Sequence, residues 1–370
     1  MSDTDPNPTM PWEMTNFQTN DFRIQNIGLD PFGIRRLYRA ASAGFNVFDY
    51  GLGFEYYSTL WSRNTRYELI PDNSYVLDDD IMHYKKTEGA SCVINGDGRI
   101  SIYNDTPNNF RMWLYDGDQL NAGVANALTN ITSGRRWSDS LEFTFYFNRK
   151  INSEQPNHSD NGGIFIHLGS DHLFGASTTL STSSCPFNAH EYILAIQNNG
   201  SMYFYGEPYH GSRRVNKPDD VDMQDFWGTD LNGIPTETNI GIKFVKKVVD
   251  YGKSVLLECF RDMTDGQDGG QWTRLFEFKH QRGNWYNDTM DAPYQASLSS
   301  TECVLRPPLD VDEPHYQGGG SACYMVITPV RELELKWLSC RDIQNDVRKP
   351  LTSSTDLTES GVSAEVCTRQ

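Results

Sequence analysis

The chain has little basic charge to set against its acidic side chains. Among 370 residues, 32 Lys and Arg face 49 Asp and Glu, a net charge of −17. A nucleic-acid binder that works by neutralising phosphates needs the opposite balance, so that class is excluded. The surplus favours a neutral or cationic partner, or one held through bound metal, and a soluble, self-repelling surface. Long hydrophobic runs are also missing: no stretch approaches the roughly 20 apolar residues that span a bilayer. The opening MSDTDPNPTM has neither a basic nor an apolar region, so no Sec-type signal peptide is expected in it. No P-loop, dinucleotide fingerprint, nucleophile elbow or HExxH motif occurs.

Cysteine is present without pattern. None of the seven (Cys92, Cys185, Cys259, Cys303, Cys323, Cys340, Cys367) has the CxxC spacing of a zinc or redox motif. Cys259 lies in a strand-like run and reads as a small core residue. Cys303 and Cys323 flank a Pro/Gly-rich stretch, which a disulfide between them would clip. Five N-x-S/T sequons, at Asn104, Asn130, Asn157, Asn199 and Asn287, matter only in a glycosylating compartment.

Helical patterning is scarce. Gly33 to Ala41 and Gly117 to Thr132 are the two segments expected to be helical. Only 38% of the chain is apolar, but aromatic residues make up 12% of it and supply large side chains for a core. The rest reads as strands. Leu141, Phe143, Phe145 and Phe147 alternate onto one face. A strand from Gly163 to Leu168 follows, then Glu191 to Ile196, whose Asn199-Gly200 turn leads into Ser201 to Tyr205. Asn239 to Val249 and Ser254 to Arg261 form a second hairpin, followed by Trp272 to Phe278 and a closing strand from Val330 to Ile343. Many short strands punctuated by Gly, Asn and Asp predict an all-β, antiparallel sandwich. Polar ends leave an arm at residues 1–20 and a tail at 346–370, with one sandwich domain between them at 21–345.

Three segments carry a family resemblance: Asn161 to His167 with His190 to Ile196; Ile242 to Phe278; and Leu333 to Ile343. Together they resemble the concanavalin A-like jelly-roll superfamily, which includes laminin-G-type glycan-binding domains, alginate-lyase-like enzymes and keto-disaccharide hydrolase-like proteins. The resemblance implies a jelly-roll sandwich and a polysaccharide ligand. It departs from the lyase pattern, because the Gln-Ile/Val-His triplet stands here as Phe165-Ile166-His167.

Five of the eight histidines fall between His158 and His210. By alternation Phe165 and His167 share a face opposite Ile164 and Ile166, and Tyr203 and Tyr205 alternate with Met202 and Phe204. His167, Tyr203 and Tyr205 are therefore expected to line one groove. A lyase needs a cation for the uronate, a base and an acid; His167, Tyr203 or Tyr205, and Arg149 or Arg213 supply those types. A hydrolase would use Glu191 and Glu207 as a carboxyl pair. Sugar binding asks for less: aromatic faces such as Tyr203, Tyr205, Tyr209, Trp227 and Trp285, with polar neighbours His190, Glu207, His210 and Arg213. Asp262, Asp265 and Asp268 crowd one turn and are the candidate ligands for Ca2+, the one cofactor considered. Asp78 to Asp80 is a second acidic cluster, read as a solvated turn.

The expectation is a carbohydrate-binding, lectin-like protein, extracellular or on a particle surface, with no nucleic-acid partner and no membrane span. The alternatives are a polysaccharide lyase or glycoside hydrolase acting in the groove, and a structural surface or virion protein whose groove is blocked or apolar.

Overall fold

The computed structural model describes residues 28–40, 55–62, 66–68, 74–77, 82–86, 91–104, 110–114, 139–150, 162–170, 191–209, 212–216, 227, 234–281, 322–328 and 330–344. The proposed arm at 1–20, the tail at 346–370, the segment Gly117 to Thr132 and the cluster Asp78 to Asp80 lie outside these residues.

The described residues contain seventeen strands. The first seven are β1 (Glu55–Tyr57), β2 (Tyr67–Glu68), β3 (Ser74–Leu77), β4 (Met82–Lys86), β5 (Ser91–Ile94), β6 (Arg99–Asn104) and β7 (Phe110–Leu114). The next five are β8 (Leu141–Arg149), β9 (Gly163–Ser170), β10 (Glu191–Gln197), β11 (Met202–Tyr209) and β12 (Ser212–Asn216). The last five are β13 (Asn239–Val249), β14 (Ser254–Asp262), β15 (Thr273–His280), β16 (Ala322–Ile327) and β17 (Val330–Asp342). They form two sheets. The first has nine strands in the order β15-β14-β13-β8-β17-β6-β5-β2, with β1 also on β17; the second has eight, β12-β11-β10-β9-β16-β7-β4-β3. The chain changes sheet repeatedly, among other places from β6 to β7, β7 to β8, β8 to β9, β12 to β13 and β16 to β17. This is the antiparallel jelly-roll sandwich that alternation and resemblance implied.

One core fills the space between the sheets. Leu141, Phe143, Phe145 and Phe147 of β8 meet Ile164, Ile166 and Leu168 of β9 and Leu194, Ile196 and Phe204 of β10 and β11. Cys259 joins them with no exposed surface, as its strand-like setting implied. The predicted hairpins form. Gly200 takes φ 88 in the turn between β10 and β11, a left-handed conformation open to Gly at little cost.

In the segment Gly33 to Ala41, expected to be helical, the described residues 33–40 are not a helix. Asp30 Oδ1 accepts from the backbone N–H groups of Phe32 and Ile34 at 2.9 and 2.8 Å, which closes a turn instead. Leu29 then bridges Arg35, and Ala40 bridges Ile343. Ile34 and Leu37 pack against Tyr146, Val245, Phe260 and Trp272 on the outer face of the first sheet. Gly241 makes room for this second apolar layer, since a Cβ there would lie 2.6 Å from Tyr146 and 2.9 Å from Trp272.

Beneath that segment three adjacent strands bury charge. Glu142 of β8 sits directly across from Arg341 of β17, and both are at most 2% exposed. Its Oε2 accepts from Arg341 Nη2 at 2.8 Å and its Oε1 from Lys243 Nζ at 2.9 Å. Oε2 also accepts from the backbone N–H groups of Leu37 and Tyr38 at 3.2 and 3.3 Å. Burial pushes the Glu142 carboxyl up, but Arg341 and Lys243 outweigh it and hold the group down to about 2, against an ordinary 4.5.

A carboxyl whose folded value lies below its unfolded value stabilises the fold above the unfolded value and loses that contribution as pH falls. The urea midpoint is therefore expected to drop between about pH 5 and pH 2. Glu142→Gln should cost roughly 3–5 kcal/mol at pH 7, since it strands two buried cations. Its midpoint should also vary less with pH over the acid range. An unchanged acid limb in the variant would show that Glu142 does not drive it.

Candidate functional site

The outer face of the second sheet carries His167, Glu191, Tyr203 and Tyr205 of the residues singled out in the sequence. Backbone register aligns four of its strands into rows. Tyr324 of β16 pairs with His167 of β9, His167 with Ile193 of β10, and Ile193 with Tyr205 of β11. The next row runs Val326, Phe165, Ala195, Tyr203. His167, Tyr203 and Tyr205 therefore share one face, as alternation required.

Two polar groupings stand on this face. His167 Nδ1 lies 2.7 Å from Glu191 Oε1, and the Tyr324 hydroxyl donates to the same oxygen at 3.0 Å. The His167 and Tyr324 rings stack with centroids 3.9 Å apart and planes 16° off parallel. An ionised carboxylate only accepts, so Glu191 fixes the proton on Nδ1 and makes Nε2 the acceptor nitrogen of the neutral ring. That is how a general base is oriented. The second grouping is Tyr205, whose hydroxyl donates to that of Tyr203 at 2.8 Å with the rings edge to face.

Among the described residues no open trough surrounds these groups. His167 is 3% exposed, Glu191 1%, Tyr203 4% and Tyr324 5%, and Phe165, Ile193, Ala195 and Val326 pack among them. Ile193 interrupts the polar row and Val326, Phe165 and Ala195 make up most of the next, so these side chains form a second buried cluster. Tyr205, packed against its edge, is half-buried.

Arg149 and Trp227 are corrections to the sequence reading. Arg149 ends β8, in the other sheet, and its Nη1 donates to the Asn198 carbonyl at 3.1 Å. Burial lowers its pKa from the ordinary arginine value. It ties the sheets together at the β10–β11 turn and does not join His167. Trp227 is 3% exposed in the inter-sheet core, and its indole N–H donates to the Gly200 carbonyl at 2.6 Å, so its ring offers no platform for a sugar.

Glu207 is directly opposite Glu191 in the backbone register, and Tyr209 pairs with Ser212 at the end of β11. Arg213 follows in β12. The side chains of Glu207, Tyr209 and Arg213, and the whole of His190, His210 and Trp285, lie outside the described residues.

The three aspartates of the 262–270 turn are not gathered around one point. Asp262 has no exposed surface, and its carboxylate is spent on the turn itself. Oδ1 accepts from Thr264 N, Thr264 Oγ1 and Gln271 N at 3.0, 2.6 and 2.9 Å. Oδ2 accepts from Gly266 N at 2.9 Å and the Tyr146 hydroxyl at 2.7 Å. Burial pushes this carboxyl up, but the hydrogen bonds from Thr264 and Tyr146 outweigh it and leave its pKa lowered. Asp265 accepts from Asn239 at 3.0 Å and pairs with Lys336. Among the described residues no group of three or more His, Cys, Asp or Glu is placed to hold a metal ion. The donor set does not fit Ca2+, whose six to eight oxygen ligands need lone pairs that Asp262 has already committed.

Sequence reasoning missed Tyr324. In Ala322–Ile327, Tyr324 and Val326 alternate with Cys323, Met325 and Ile327, which face the core. The period of two was legible there. That β16 slots between β7 and β9 was not.

No family model matches the chain, and no curated protein matches it. Solved structures similar to it include peanut lectin with a 9mer peptide, at 9% identity and a TM-score of 0.32, covering 75% of this chain and 97% of that one. The exoplasmic/lumenal domain of VIP36 in its Ca2+-bound form gives 10% identity and a TM-score of 0.35, over 72% and 85%. The Emp46p carbohydrate recognition domain, in its metal-free form, gives 9% and 0.31, over 67% and 83%. The fold class rests on the strand order and the shared core described above.

Tyr324→Phe should cost about 1 kcal/mol in urea denaturation, the ordinary value of one hydrogen bond. Glu191→Ala should cost more, roughly 2–3 kcal/mol, because two buried donors lose one acceptor. The opposite ranking would contradict a carboxylate shared by His167 and Tyr324.

Proposed function

We propose that the chain is a carbohydrate-binding β-sandwich protein of an extracellular or particle surface, which contacts its glycan from the outer face of the second sheet around Tyr205. The observation that carries this reading is the row Tyr324, His167, Ile193, Tyr205 across four neighbouring strands. It sets aromatic rings and fixed polar groups on the side of the sheet away from the core. Sugars are held by that combination: ring faces against C–H surfaces, with a few immobile hydrogen-bonding groups. Tyr205 is the half-buried member of the row, and its hydroxyl is held by Tyr203. The net charge of −17 favours a neutral or cationic glycan over a uronate or sulfated one.

Catalysis has less support. Arg149, offered as the cation for a lyase, belongs to the other sheet, and Glu191, offered to a hydrolase, already accepts from His167 and Tyr324. The second reading is a structural surface or virion protein. It is favoured by one observation: His167, Tyr203 and Tyr324 are each at most 5% exposed among apolar neighbours.

An array of neutral, cationic and anionic glycans separates the two. Binding is expected to neutral or cationic chains without release of reducing ends or unsaturated uronate. Tyr205→Ala should weaken it about tenfold, the worth of one stacked ring. No binding across the array, together with regular self-assembly, would establish the structural role instead.

A further inference from the structure

The modification sites marked in the sequence fare differently in the fold. Cys323, one end of the expected clip, is a reduced thiol buried in the inter-sheet core, and Cys303 lies outside the described residues. Of the five sequons, those at Asn130, Asn157 and Asn287 also lie outside them. Asn104 ends β6, where the sheet ladder pairs it with Val330. Asn199 is the one that the described residues place in a turn, the hairpin between β10 and β11.

That hairpin is tied down by the residues on either side of Asn199. Gly200 N–H donates to the Gln197 carbonyl, and Gln197 N–H to the Ser201 carbonyl, both at 2.8 Å. Asn198 N–H donates to the Gly162 carbonyl at 2.7 Å, and its own carbonyl accepts from Arg149 at 3.1 Å. The Gly200 carbonyl accepts from the buried indole of Trp227 at 2.6 Å. The side chain of Asn199 takes no part in these ties. Its Oδ1 accepts from the Ser201 N–H at 2.9 Å, a small turn of its own. That bond fixes the amide and leaves Nδ2, on the other branch, with no partner among the described residues. Asn199 and Ser201 are half-buried, so both ends of the sequon reach the surface. A surface turn is the setting in which this motif accepts a glycan. Attachment at Nδ2 breaks none of the bonds named here.

We propose that Asn199 is an N-glycan attachment site, with Ser201 as the hydroxyl residue of its sequon. This rests on the extracellular placement in the reading above, and not on glycan recognition at Tyr205. The co-substrates are a lipid-linked oligosaccharyl diphosphate and the transferase of a glycosylating compartment. Nδ2 of Asn199 attacks the anomeric carbon of the donor. One C–N bond forms, and the C–O bond to the diphosphate breaks with its electron pair passing to the phosphate oxygen. The proton lost from Nδ2 goes to a base of the transferase. The product is a secondary amide that keeps Oδ1 as the acceptor for the Ser201 N–H.

The test is expression of the full chain behind a cleavable secretion leader in cultured eukaryotic cells. A Glu-specific protease frees the peptide from Tyr192 to Glu207, in which Asn199 is the sequon. A glycan-releasing amidase in heavy-oxygen water then converts an occupied Asn to a labelled acid. Labelled acid at position 199 is expected in the wild type and its complete loss in Ser201→Ala. That variant keeps the backbone bonds of the turn, which come from the 201 N–H and carbonyl. An unmodified Asn199 amide in the secreted wild type would overturn the proposal, and so would acid that forms there without the amidase. The mapping is read on the wild-type chain, so it holds whether or not the variant folds. The glycan array, run on the unglycosylated Ser201→Ala chain, tests recognition at Tyr205 separately, and either result can fail alone.

Discussion

The first sheet depends on a single carboxylate. Glu142 lies in the middle of three strands, with Arg341 on one neighbour, Lys243 on the other, and the backbone of Leu37 and Tyr38 above it. Two buried cations and two backbone N–H groups converge on two oxygens. Taking such charges out of water is expensive and is repaid when every lone pair is used. The sheet gains specificity from this. A one-residue slip of β8 against β17 would move Glu142 to the other face and into the apolar core. The same carboxylate selects the path of residues 28–40, which cross the sheet where they can supply its remaining donors. Asp262 repeats the logic on a smaller scale: five donors hold one buried carboxylate and shape the turn from β14 to β15.

The strands of this fold were legible because period-two alternation survives in them. Asn239–Val249 is bounded by its sequence signals at both ends, and the turn at Asn199-Gly200 falls where the dipeptide put it. The same alternation placed His167, Tyr203 and Tyr205 on one face. Exposure was not legible. In β8, eight consecutive residues are buried, because the outer face of the sheet is covered as well as the inner one. A covered outer face needs side chains that tolerate burial, and paired Glu, Lys and Arg meet that need as well as Leu does. Nothing in the sequence marks Glu142 and Lys243 as buried. Only their partners on other strands make them interior. Gly33 to Ala41 misled for a related reason. Its Arg and Leu spacing suits a helix in isolation, but Asp30 closes a turn over Phe32 and Ile34, and Ile34 and Leu37 bury against the sheet instead. Arg149 and Trp227 were misplaced because nothing local distinguishes a groove residue from one that ties two sheets together.

The two outer faces are closed by different means, and this bears on where a ligand can be met. On the first sheet the chain's own segment at 28–40 lies across the centre, tied by backbone hydrogen bonds to Glu142 and by the carbonyl of Tyr38 to Arg341. A partner would have to displace a strap held by buried charge. On the second sheet the buried carboxylate is directed at neighbouring side chains: Glu191 accepts from His167 and Tyr324, which come from the adjoining β9 and from β16 beyond it. The polar groups there stiffen one another within the sheet. A rigid aromatic floor of that kind gives up little conformational entropy when something binds at its edge, which is the condition for a weakly polar surface to hold a sugar. Tyr205 stands at that edge, one strand from Ile193 and two from His167, with its hydroxyl already anchored to Tyr203. His167 and Tyr205 belong to separate hydrogen-bonded groupings, and Tyr205, the half-buried member of the row, is the one that the proposed reading sets against a glycan.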